Sequence, residues 1–129
     1  MTRDEILNMP AGREMDALIE NIIYKHSPYQ DGLGIWRVEI NDETGRVLPK
    51  YTTSIAAAWE VVDEMIKGKG HHFAIQMNES CGNSVGHLSF CEVLDSGEFG
   101  IRNIVTIEND APLAICRAAL LAFCVPDNA

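Results

Sequence analysis

Lys50-Tyr51-Thr52-Thr53-Ser54 places a cation, a phenol and three hydroxyls just ahead of an apolar run with helical spacing. The free N–H groups and dipole of a helix N-terminus attract anions. Tyr51, Thr52, Thr53 and Ser54 are therefore a candidate phosphate or nucleotide subsite, with the tyrosine as a stacking face. Ser or Thr in front of a helix is also the usual capping choice. That plainer use stands beside the first.

Arg117 is the one charge in APLAICRAALLAFC, residues 111–124. A guanidinium among apolar neighbours calls for a carboxylate, a ligand phosphate or a partner chain. A structural ion pair to Asp16 or Glu14 is the commoner answer. Arg13, following Gly12 at a helix start, poses the same question. Tyr29, Trp36 and Arg37 sit in an irregular stretch. Aromatics with an arginine can stack on and clamp a base, but Trp36 is equally a core residue of a strand. Arg37, Arg102 and Arg117 are the cations assigned to a phosphate-bearing ligand, with Trp36 as a second aromatic.

Other constellations carry less. His71, His72, His87, Cys81 and Cys91 match no zinc spacing. Adjacent histidines in a strand point to opposite faces. No metal and no cofactor is expected. Ser80-Cys81-Gly82 is not a nucleophile elbow, and the chain has neither a P-loop nor GxGxxG. Cys81 with His87 makes a weak dyad at best. Binding without turnover is the expectation.

These residues must be held by a single domain, residues 1–129. The net charge is −9, with 19 acidic and 10 basic residues, which opposes binding to long DNA or RNA. A small anion in a locally basic pocket remains compatible. Four cysteines, none in a CxxC pair, and no signal peptide suit reduced thiols in a cytosolic, cytoplasmic protein. No apolar run is long enough for a membrane span.

Thr2 and Glu5 make a capping box for a short first helix, closed by Met9-Pro10. Residues 11–24 follow as a helix, with Met15, Leu18, Ile19, Ile22 and Ile23 on its core face. Arg13, Asp16, Glu20 and Asn21 fall on the opposite, solvent face. Residues 26–50 are an irregular insertion, a hairpin or functional loop with a short strand at 35–40. Ser54 or Thr53 caps a helix over 55–67, whose buried face is Ile55, Ala58, Trp59, Val62, Met65 and Ile66. Strands are expected at 72–78, 85–94 and 100–108. Asp110 caps the last helix, with Pro112 in its first turn. The fold class is α+β: a small antiparallel sheet of three to four strands layered with helices, an α/β/α sandwich. The last helix is apolar all round and needs cover on every side. A seam in a homodimer or higher oligomer supplies it.

Three segments carry a family resemblance: EILNMPAGREMDALI, YTTSIAAAWEVVDEM and APLAICRAALLA. In order and spacing they resemble the phage ABA-sandwich domain, over residues 5–24, 51–65 and 111–122. The resemblance implies an α-β-α sandwich of phage origin. It carries over no catalytic residue.

The leading functional expectation is a phage-encoded protein that sequesters a small nucleotide signal of host antiviral defence. The alternative is an acidic protein-binding inhibitor or accessory factor acting on a host or phage protein. A small hydrolase or transferase comes last. A cluster of arginines and aromatics at a pocket favours the first; a broad acidic face favours the second.

Overall fold

The computed structural model describes residues 2–39, 46–68, 70–80, 83–91, 105–107 and 111–124. Arg102 and Cys81 lie outside these residues. Helix α1 (Arg3–Asn8) starts at the Thr2–Glu5 capping box, with both reciprocal hydrogen bonds present. Helix α2 (Arg13–Ile22) follows Gly12, whose φ of 156° suits glycine. The insertion is neither a loop nor a single hairpin. It contributes β1 (Pro28–Gln30), β2 (Trp36–Val38) and β3 (Arg46–Val47), an antiparallel sheet in that order. Asp31 fixes the turn between β1 and β2. Its carboxylate accepts from Arg37 Nε at 2.7 Å and from the N–H groups of Leu33 and Ile35.

Ser54 caps α3 (Ile55–Asp63) by accepting from the Ala57 N–H. The helix then loosens into one π turn, Glu64–Gly68. Strands β4 (His72–Ser80) and β5 (Asn83–Cys91) pair antiparallel from His72↔Cys91 to Ser80↔Asn83. Strand β6 (Val105–Ile107) pairs with β5, so that among the described residues β4, β5 and β6 form a second antiparallel sheet in that order. Helix α4 (Ala111–Cys124) packs on β5 and β6 and against α1, α2 and α3. The molecule is an α+β sandwich.

The cover of α4 differs from the expectation. Ala114, Ile115, Cys116, Ala118, Ala119, Leu120 and Leu121 are buried within one chain. The helix runs through the middle of the core, between helices and sheet, so its apolar circumference needs no dimer seam. Its burial gives no ground for placing a subunit interface there.

Candidate functional site

Asn21 faces water on α2 as expected, but Asp16 and Glu20 do not. Asp16 is 1% exposed and Glu20 is fully buried. Each carboxylate is filled with donors from the segment that runs past α2. Asp16 Oδ1 accepts from the Thr52 N–H and the Thr52 hydroxyl, both at 2.8 Å, and Oδ2 accepts from Arg13 Nη1 at 3.0 Å. Glu20 Oε1 accepts from Arg46 Nη2 at 3.0 Å and from the Tyr51 hydroxyl at 3.2 Å. Its Oε2 lies 3.2 Å from His26 Nδ1. Arg13 also donates to the carbonyls of Leu48 and Pro49. Asp16 and Glu20 are four residues apart, one above the other on a single helix face. Together they clasp the chain from Arg46 to Thr52 onto α2. A buried carboxylate needs such donors, because an unpaired one is very costly.

Tyr24 stacks on Tyr51, with ring centroids 5.5 Å apart. Both phenols are pushed well above the ordinary tyrosine value. For Tyr51 the main cause is burial, then the Glu20 charge, then Tyr24. For Tyr24 it is burial, followed by Glu60, Glu64 and Glu20. Neither is set up to lose its proton near neutral pH.

The residues expected to hold a ligand are dispersed. Tyr51 and Thr52 are buried and spent on Glu20 and Asp16, which corrects their assignment to an open subsite. Ser54 serves as the helix cap, and Thr53 is exposed. Trp36 and Arg37 are neighbours on one strand, so they point to opposite sides of the sheet. Trp36 packs against the core. Arg37 turns outward opposite Tyr29 and pairs with Asp31, holding that carboxyl below the usual range. The pairing places Trp36 and Arg37 outside any common clamp. Arg117 finds neither Asp16 nor Glu14. Its Nη2 donates to the Met9 carbonyl at 3.0 Å, and its buried Nε has no hydrogen-bond partner. Near it lies a shallow groove of about 240 Å³ lined by Met9, Pro10, Ala11, Gly12, Arg13 and Glu14. His71 packs on Phe123. Among the described residues no three His, Cys, Asp or Glu gather in a metal-binding group, and no helix is long and apolar enough to cross a membrane.

The surface of α3 is the other departure. Ile55, Trp59 and Ile66, expected in the core, are 47%, 50% and 43% exposed. Ala58, Val62 and Met65 are buried as expected, and Val61 joins them. Ile55 and Trp59 fall about 40° apart on the α-helical part, and Ile66 follows in the π turn. Trp59 stands edge-on to Phe73 of β4, with centroids 6.0 Å apart. Exposed Glu60 and Asp63 border the stripe.

The sequence model of the Phage ABA sandwich domain matches residues 20–120. The chain belongs to this family. A phage protein from Bacillus cereus has a similar crystal structure, with a TM-score of 0.58 at 20% identity. The similarity covers 89% of this chain and 91% of the other. At that identity it establishes a shared fold. No curated protein matches. The matched span of this ABA-sandwich protein includes Glu20, the clasped segment, α3 and most of α4. Asp16 and the opening EILNMPAGREMDALI fall before it.

The α3 stripe left a sign in the sequence. Apolar residues at 55, 58, 59, 61, 62, 65 and 66 cover an arc of roughly 160° on an ideal helix, wider than the ~100° that faces a core. The excess on one edge is the exposed stripe. The clasp left no comparable sign, because Asp16 and Glu20 have the spacing of an ordinary solvated face.

Proposed function

We propose that this ABA-sandwich phage protein works without turnover, by binding another protein of host or phage. The observation that carries this reading is its surface. Among the described residues, large apolar side chains stand exposed in two places: Ile55, Trp59 and Ile66 along α3 and its π turn, and Leu33, Ile35 and Val47 in the β1–β2 turn and on β3. Both belong to a chain of net charge −9. Contiguous exposed apolar residues mark interaction surfaces, and a strong acidic charge selects basic partners and speeds encounter with them.

Sequestration of a small nucleotide immune signal is the second reading. It rests on the groove of residues 9–14 at the start of α2, with Arg117 reaching the Met9 carbonyl in its wall. Its size, about 240 Å³, falls below the ~300–1,000 Å³ of typical small-molecule sites. It suits a phosphate group better than a whole dinucleotide.

Purification of the tagged protein from phage-infected host cells, with cross-linking before lysis, tests the choice. A stoichiometric protein partner is expected. Calorimetry against cyclic di- and trinucleotides and cyclic ADP-ribose isomers is the opposing arm. Heat from any of them, with no protein partner, overturns the protein-binding reading.

A further inference from the structure

The exposed side of α3 is shaped and charged for one kind of occupant. Ile55 opens the α-helical part, and Ile66 sits in the π turn that follows it, eleven residues on. Trp59 lies between them and is held edge-on by Phe73 at 6.0 Å. An aromatic fixed before binding loses little freedom when a partner arrives, and tryptophan is the commonest interface anchor. The apolar stripe runs along one edge of the exposed face. Glu60 and Asp63 occupy the other, with Lys67 at the far end. Resting on the protein-binding reading, we propose that this face docks an amphipathic, Lys/Arg-rich helix of a partner protein. The partner's apolar residues, spaced three and four apart, would lie on Ile55, Trp59 and Ile66. Its cations would meet Glu60 and Asp63.

Charge selects this occupant over a second copy of the chain. Two-fold pairing brings the same patch of both copies together. It would gather Glu60 and Asp63 of both copies into one interface between molecules that each carry −9. The other apolar surface gives no such choice, because Arg37 beside it is already paired with Asp31.

A displayed library of randomised 16-residue helical peptides, selected on the intact protein, provides the probe. The best peptides are then synthesised and titrated by calorimetry. Selected sequences are expected to combine apolar residues at i, i+4 and i+7 with flanking lysines or arginines. Trp59→Ala should weaken them about thirtyfold or more, as loss of a central anchor does. The pair Glu60→Lys and Asp63→Lys should weaken them about tenfold, with wild-type binding falling as salt is raised. Glu39→Gln, an exposed residue just after β2, should leave affinity unchanged. Thermal melts confirm that each variant folds. Peptides without basic residues, or indifferent to Trp59→Ala, overturn the α3 assignment while leaving the protein-binding reading in place. A dimer by light scattering that Trp59→Ala dissociates overturns it in favour of self-association. An empty selection together with a nucleotide that binds overturns both.

Discussion

On α2, Asp16 and Glu20 are buried among donors, whereas on α3 Ile55, Trp59 and Ile66 stand half in water. Hydropathy alone would exchange the two sets. The difference lies in what each helix meets. A segment rich in donors, Arg46 to Thr52, runs across the polar side of α2 and supplies hydrogen bonds to both carboxylates. Along α3, the core takes Ala58, Val61, Val62 and Met65 and ends there. Burial follows the availability of partners, for charges and for apolar groups alike.

The comparison breaks first at the centre of the molecule. Leu120→Asp would put an unpaired charge where the chain packs on every side. It should remove more than about 4 kcal/mol and leave the protein largely unfolded by circular dichroism. A folded monomer released from a larger assembly would show instead that α4 lies in a subunit seam. Next comes the clasp. Glu20→Ala orphans the Tyr51 hydroxyl and Arg46, and should cost about 3–5 kcal/mol in urea denaturation.

A gentler probe is alkali. Tyr24 and Tyr51 lose their protons less readily in the folded protein than in the unfolded chain. Their contribution is fully present below the ordinary value of 10.0 and is lost as pH rises toward their raised folded values. The urea midpoint should fall above about pH 10, and Tyr51→Phe should make that fall shallower. Equal slopes for the two proteins would mean that Tyr51 ionises freely. The smallest expected effect concerns sulfur. Cys116 is buried in the core, its thiol donating to the Tyr51 carbonyl. Thiol titration of the unfolded, unreduced protein should find all four cysteines of the sequence reactive.

Local signals carried much of the fold. The Thr2–Glu5 capping box, the Ser54 cap, the 3–4 rhythm of α2 and the β4 and β5 strands are all set by neighbours within a few residues. The expected strand at 35–40 lies around β2, but the sheet built around it depends on pairing with β1 and β3. Strand β4 runs on to Ser80 and β5 begins at Asn83, beyond the expected 78 and 85, and the loosening of α3 into a π turn had no local marker. The candidate site was less legible. Tyr51 and Thr52 bear the right groups for a ligand, but their partners are 31 and 36 residues away on α2. Trp59 looked like core because its spacing fits a buried stripe. Only the packed structure shows where that stripe runs out.

Equilibrium urea denaturation of Asp16→Ala beside Trp59→Ala tests the division between these two helices most directly. Asp16→Ala should lose about 3 kcal/mol or more, because the buried Thr52 N–H loses its acceptor and Arg13 loses its ion-pair partner. Trp59→Ala should lose no more than about 1 kcal/mol, as a half-exposed surface residue does. The reverse order would contradict the account: α3's stripe would then belong to the core, and the α2 carboxylates would be solvated.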